Sequence, residues 1–297
     1  MAIEYMRSRS FDVPPDLQDK LDAWDDEDDV PEPVPAREAA TVALVRDSPR
    51  GVEVFMIRRA TSMAFAPDRM AFPGGRVDPS DREEVPWSGW TPARCCKKMG
   101  FNDAEAARSA IIAAVRETYE ECGVLLAETA DGDLVSDLTS KSWASNRPAL
   151  ETREMDFATF LRRSELALRA DLLQPWSRWV TPEREHRRFD TMFFAAVLPA
   201  GQQAVADSGE TSWGGWILAE EAARQGRQGG GAVMLPPTLV TLEEIARMPS
   251  VGAVMSRVSD LQPITPRLER SDGRWAITVE LPGRPAPVEK HMGVPYV

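Results

Sequence analysis

The chain has little cysteine, almost no histidine and no long apolar run, and each shortage narrows what it can be. Its three cysteines, Cys95, Cys96 and Cys122, form no Cys-x-x-Cys pair. An odd count without paired spacing gives neither a disulfide framework nor a zinc site, and fits a reducing, cytoplasmic compartment. His186 and His291 stand apart, so neither has a partner spaced for zinc or for a nucleophile and its base. Runs such as Met192 to Pro199 fall far short of the roughly 18 apolar residues a membrane helix requires, and the N-terminus has no apolar signal core. Positive charge is also short: 35 Lys and Arg stand against 47 Asp and Glu, a formal net charge of -12. Such a surface attracts neither nucleic acid nor anionic membrane, so a phosphate ligand needs locally placed arginines or a metal. Gly229-Gly230-Gly231 lacks the Lys-Ser/Thr that completes a phosphate loop and reads as a linker.

What is present is enough for one substantial core, since 43% of the 297 residues are hydrophobic. Residues 1–37 combine five prolines, Pro14, Pro15, Pro31, Pro33 and Pro35, with the acidic run Asp25 to Asp29. That composition predicts a flexible acidic tail, with Trp24 and Leu21 as the residues through which it would dock a partner. From Arg37 the texture changes. Ala39 to Val45 and Val52 to Ile57 are β-rich runs split by Asp47-Ser48-Pro49-Arg50-Gly51, which predicts a β-hairpin. Asn102 or Asp103 caps a helix from about Ala104 to Cys122, closed by Gly123. A polar loop (129–146), a helical stretch (157–171), strands at 176–180, 189–198 and 213–218 and a helix at 237–247 follow. The alternation predicts an α/β layered domain with a mixed sheet over 38–250. Residues 251–297 form an extension with a hairpin of 264–268 and 275–281 turning at Ser271-Asp272-Gly273. It can extend the sheet, cover a site or form a homodimer contact.

The helix ending at Gly123 carries the chemistry. At about 100° per residue, Ala107, Ile111, Val115, Thr118 and Cys122 share one face, which should pack on the sheet. Glu117, Glu120 and Glu121 gather on another, where they repel one another. They also sit at the C-terminal end, where the helix dipole disfavours anions. A bound Mg²⁺ or Mn²⁺ would neutralise the cluster, because hard dications prefer carboxylate and water oxygens. A solvated acidic face relieved by Arg116 is the bland alternative.

Arg116-Glu117-Thr118-Tyr119-Glu120-Glu121-Cys122-Gly123-Val124 resembles the second half of the Nudix box, G-x5-E-x7-R-E-U-x-E-E-x-G-U with U bulky and apolar. Phe72-Pro73-Gly74-Gly75-Arg76-Val77-Asp78 resembles the strand and loop that open it, with Gly75 as its first glycine. The departure lies between them. Arg116 stands 41 positions after Gly75 where the box has 14, an insertion placed at about 81–103. The central glutamate would fall at Asp81 counted from the left or Arg108 from the right, so that letter is unmatched. Arg58-Arg59, Trp179-Val180-Thr181-Pro182, Arg188-Phe189-Asp190-Thr191 and Leu235-Pro236-Pro237-Thr238 resemble the branch related to peroxisomal coenzyme A diphosphatases and their bacterial counterparts.

The resemblance implies a Nudix-type α/β/α sandwich with N- and C-terminal extensions. It also implies a diphosphatase acting on a nucleoside-diphosphate derivative by attack of a metal-activated water. Glu117, Glu120 and Glu121 become metal ligands, Arg116 a brace, and Gly74 and Gly75 backbone neighbours of the phosphates. Glu210 is the candidate general base or extra ligand, although as a lone acidic loop residue it need have no role. The branch points to coenzyme A or acyl-coenzyme A, giving adenosine 3′,5′-bisphosphate and (acyl-)phosphopantetheine. Arg58, Arg59, Arg69 and Arg76 are the nearby cations for its extra phosphate, with Arg59 and Arg76 as the substrate contacts. ADP-ribose, NADH and dinucleoside polyphosphates remain open as substrates. A catalytically silent nucleotide- or protein-binding module is the reading of another class.

Overall fold

Why the hairpin residues form a hairpin is visible in their burial. Along the first run, successive side chains go alternately to two different cores, as the two-residue period of a strand requires. The computed structural model describes residues 8–13, 18, 21–22, 34–62, 66–138, 143, 145–183, 185, 187–229, 233–271 and 274–281. In chain order the strands are β1 (Ser8–Asp12), β2 (Arg37–Ser48), β3 (Gly51–Arg59), β4 (Met70–Ala71), β5 (Gly74–Arg76), β6 (Trp87–Ser88) and β7 (Ala127–Thr129). They continue with β8 (Leu166–Arg169), β9 (Gln174–Val180), β10 (Phe189–Val197), β11 (Thr211–Leu218), β12 (Pro263–Ile264), β13 (Arg267–Ser271) and β14 (Arg274–Glu280). The helices are α1 (Pro92–Met99), α2 (Ala104–Cys122), α3 (Asn146–Glu151), α4 (Phe157–Arg163), α5 (Ala219–Gly229), α6 (Pro236–Ile245) and α7 (Val251–Met255).

The main sheet runs β11-β3-β2-β10-β9-β12, with β4 beside β3 and β5 beside β2. It is mixed: β2 and β3 are antiparallel, turning at Ser48↔Gly51, whereas β10 lies parallel to β2. Ala40, Val42, Leu44, Met192, Phe194 and Ala196 face the core that contains α2; Ala43, Val45, Phe193 and Ala195 face the core of α5, α6 and α7. Helices on both faces of one mixed sheet are the expected α/β/α sandwich. Asp103 caps α2 by accepting the Glu105 N–H at 2.9 Å, and Gly123 ends it at φ 70°. Ala107, Ile111, Val115, Thr118 and Cys122 are buried as their shared face predicts. Cys95 and Met99 of α1 join the same core.

Several expectations need correction. The tail expected over 1–37 contains β1, which pairs with β14 through Phe11↔Ile277. Arg9 is ion-paired to the buried Glu243 of α6, so its partners lie in the folded core. Leu21 is 2% exposed against Val13 and Trp275, a packing residue and not a docking one. Trp24 and the acidic run lie outside the described residues, as do His186, Gly230, Gly231 and everything after Leu281. The stretch 157–171 is α-helical only to Arg163, with a 3₁₀ turn beginning at Ala170. Glu165 turns the chain at φ 55°, and Leu166 and Leu168 are buried with the two-residue period of β8. The inserted segment is not a plain loop: it holds the end of a 3₁₀ turn (Pro79–Arg82), β6 and α1. The C-terminal hairpin is β13 with β14, while Ile264 belongs to β12, which adds in parallel to β9.

Candidate active site

The glycines of β5 bring backbone against the carboxylate end of α2 at distances only glycine allows. The Gly74 N–H donates to Glu121 Oε2 at 2.6 Å. A Cβ on Gly74 would lie 2.5 Å from the Ala40 carbonyl oxygen, and one on Gly75 would lie 2.3 Å from Glu117 Oε1. Two segments separated by an insertion are thus in direct contact.

Arg116 fastens them. It is 8% exposed, and each N–H of its guanidinium is engaged. Nε and Nη2 grip the two oxygens of Asp81 at 2.9 and 2.8 Å, and Nη2 also reaches the Arg76 carbonyl at 3.0 Å. Nη1 holds Glu117 at 2.8 Å and Glu120 at 3.2 Å. Asp81 is 0% exposed and also accepts the Asp78 N–H at 2.7 Å, closing a capping box on the 3₁₀ turn. The letter left unmatched in the box is therefore filled in space by Asp81, the residue reached by counting from the left, and Arg108 instead donates to the Arg82 carbonyl.

Electrostatics at this end of α2 is unfavourable for anions. Burial raises the Glu117 carboxyl against the pull of Arg116. Burial, opposed by Arg116 and aided by Glu117, pushes Glu120 up to about 7. Glu121 is raised well above its ordinary value by burial and by Glu117, with the Gly74 N–H and Arg59 working the other way. Arg116 is held more firmly protonated: burial opposes its charge, but Glu117 and Asp81 outweigh it. Arg147 donates to the Glu120 carbonyl at 3.0 Å and the Val205 carbonyl at 3.3 Å, supplying a cation where the helix dipole is negative. The Val205 N–H donates to the Cys122 carbonyl and the Ala60 N–H to the Glu210 carbonyl. These bonds stitch the 199–210 loop to α2 and β3, and the Glu210 charge is felt at both Glu117 and Glu121.

All three glutamates, Arg116, Gly74, Gly75, Arg59, Arg76 and Glu210 line one open cleft of about 1900 Å³. Arg58 does not: adjacent strand residues point oppositely, and it pairs with Asp68 at 3.3 Å. Arg69 does line the cleft, and its Nη1 is buried with no hydrogen-bond partner among the described residues. Asp81 and Arg147 are given no site role by the sequence. The left-hand count marked Asp81, whereas nothing in local sequence marks Arg147.

Among the described residues no three carboxylates converge as a ready-made ligand set. Glu117 and Glu120 lean on Arg116, and Glu121 leans on Gly74. The donors nevertheless fit a hard dication in kind and in charge: oxygen ligands only, with Asp81, Glu117 and Glu120 sharing a single buried guanidinium and Glu121 held by the Gly74 N–H.

The sequence and the fold match known proteins. The family model for the NUDT19 Nudix domain matches residues 102–248. A crystal structure of a NUDIX hydrolase from Alicyclobacillus acidocaldarius is 28% identical, covers 76% of this chain and 98% of its own, and superposes with a TM-score of 0.62. The chain belongs to the Nudix hydrolases. Within that family it is related to the branch of the peroxisomal coenzyme A diphosphatases. The acyl-coenzyme A diphosphatase NUDT19 of Xenopus laevis is 26% identical over 203 residues (57% of this chain, 53% of that one). Its human counterpart is 26% identical over 206 (58% and 55%). The chain thus spans about half the length of these two relatives. A Caenorhabditis elegans protein provisionally named nudix hydrolase 7 is 27% identical over 252 residues, 83% of this chain and 73% of that one.

Proposed function

We propose that the protein hydrolyses the diphosphate linkage of coenzyme A or acyl-coenzyme A, yielding adenosine 3′,5′-bisphosphate and (acyl-)phosphopantetheine, with Mg²⁺ or Mn²⁺ held by Glu117, Glu120 and Glu121. The observation that carries this reading is the buried Arg116, which ties Asp81 and the Arg76 carbonyl to the glutamate turn and so fixes the β5 loop beside it. A dication bound there supplies neutralisation of the diphosphate oxygens and lowers the pKa of an attacking water. The chain's own groups do the rest. Gly74 and Gly75 let the β5 backbone lie against β2 and the Glu117 carboxylate, where any Cβ would clash, and both border the cleft proposed for the phosphates. Arg59 and Arg76 border the cleft as cations for phosphate oxygens. The Nη1 of Arg69, without a hydrogen-bond partner among the described residues, supports a further anionic group, such as the 3′-phosphate that distinguishes coenzyme A. Glu210 takes the proton of the water in this reading, which is supported by its lining the same cleft as the three glutamates.

The test is product release from coenzyme A, acetyl-coenzyme A, ADP-ribose, NADH and diadenosine tetraphosphate with Mg²⁺ or Mn²⁺, beside Glu120→Gln. Metal-dependent cleavage of the coenzyme A pair, abolished by Glu120→Gln, is the expected result. Cleavage of another compound in their place overturns the substrate. Binding without turnover overturns hydrolysis in favour of a silent module.

A further inference from the structure

The cleft that holds the glutamates is walled at another point by the C-terminal hairpin, which lies beyond the stretch matched by the Nudix family model. Its volume of about 1900 Å³ exceeds the roughly 300–1,000 Å³ typical of small-molecule sites. There is space in it beyond what a nucleoside diphosphate fills.

Along β14 the residues of one face are Trp275, Ile277, Val279 and Leu281. Trp275 is buried against Leu21 and Val13, and Val279 and Leu281 are buried in the core shared with α5, α6 and α7. Ile277 alone in this row is only half-buried, and it lies where the hairpin meets the cleft. Its cross-strand partner Leu268 is likewise half-buried and also lines the cleft. A directly opposed aliphatic pair left partly open in an otherwise covered face is a prepared contact surface for an apolar group.

We infer that Leu268 and Ile277 form the wall that receives the apolar arm of the substrate, so that the C-terminal hairpin sets preference for a long acyl chain over free coenzyme A. This rests on the proposed diphosphatase reading for the identity of the substrate, but the wall itself rests on the hairpin. The occupant follows from continuity: whatever lies on this wall shares the cleft with the group held at Glu117, Glu120 and Glu121. Each methylene buried against it should tighten binding roughly fourfold.

Two series separate the wall from the substrate. Calorimetric binding of butyl and octyl phosphate to the full chain needs no turnover. kcat/KM for coenzyme A, hexanoyl- and dodecanoyl-coenzyme A reads the reaction. Both are run on the wild type, on Leu268→Ser with Ile277→Ser, and on Leu268→Trp, which fills the space and guards against a polar variant that fails to fold. The expected result is at least a tenfold preference for octyl over butyl phosphate and a rise in kcat/KM with chain length. Both should shrink to below threefold in the variants, with free coenzyme A little changed. An equal affinity for butyl and octyl phosphate, or a preference that survives both variants, overturns the wall. A variant-sensitive octyl preference with no cleavage of any coenzyme A compound keeps the wall and overturns the coenzyme A reading.

Discussion

Removing Asp81 tests the claim that an interrupted motif is reassembled in space. In Asp81→Ala, Arg116 loses two of the hydrogen bonds of a guanidinium whose side chain is 10% exposed. Breaking one side of a buried ion pair costs about 3–5 kcal/mol. Glu117 and Glu120 still face Arg116, so the lower end applies, about 3 kcal/mol. At about 2–4 °C per kcal/mol for a chain of this size class, the thermal midpoint should fall by about 6–12 °C. Asp81→Asn keeps the shape and one acceptor, and should lose about half as much. A second effect is specific to the site. Freed from Asp81, Arg116 leans harder on Glu117 and Glu120, and loss of such an outer partner weakens metal binding by about 10–100-fold. Scanning calorimetry gives the first quantity and Mg²⁺ titration of hydrolysis the second. An Asp81→Ala protein that melts within a degree of the wild type and needs no more Mg²⁺ would refute the bracing role.

Other perturbations reach the same site from different sides. Burial, opposed by Arg116 and aided by Glu117, holds the Glu120 carboxyl at about 7 against an ordinary value of 4.5. Between those values the folded protein keeps a proton that the unfolded chain has released, so the metal-free protein should lose stability as pH rises through that window. Melting in EDTA at pH 5.5 and pH 8 checks this, with Glu120→Gln expected to reduce the difference, the raised Glu117 and Glu121 keeping the remainder, and a higher midpoint at pH 8 contradicting it. Gly75→Ala drives a methyl into Glu117; Glu117 can swing from Arg116, so the midpoint should fall by only a few degrees while kcat falls at least a hundredfold. Glu210→Gln should lower kcat by about 10²–10⁴-fold without changing the Mg²⁺ requirement; an unchanged kcat removes Glu210 as the base.

Much of this was legible in the sequence because the signals were local. The β2–β3 turn, the capped helix α2 and its glutamate turn each follow from short-range spacing, and the structure has them at Ser48↔Gly51, Asp103 and Gly123. What was not legible depends on residues far apart in the chain. Leu166 and Leu168 read as helix until β6 and β7 are there to pair with them. Phe11 and Arg9 read as tail until Ile277 and Glu243 supply their partners.

The box itself shows why contiguity is not what the chemistry needs. Lengthening the connection from 14 to 41 positions costs only about 1 kcal/mol of loop-closure entropy, and α1 offsets it by burying Cys95 and Met99 in the same core as α2. The chemistry needs three fixed points: glycine backbone at 74–75, a carboxylate for Arg116, and the glutamate turn. The capping box at Asp78–Asp81 delivers the second within six residues of Gly75. The chain then leaves on its excursion through β6 and α1, after the last residue that must touch Arg116 and before the helix that carries it. An insertion placed between Gly75 and Asp81 would separate the glycines from their anchor, and for that reason the same added length there should be far more damaging.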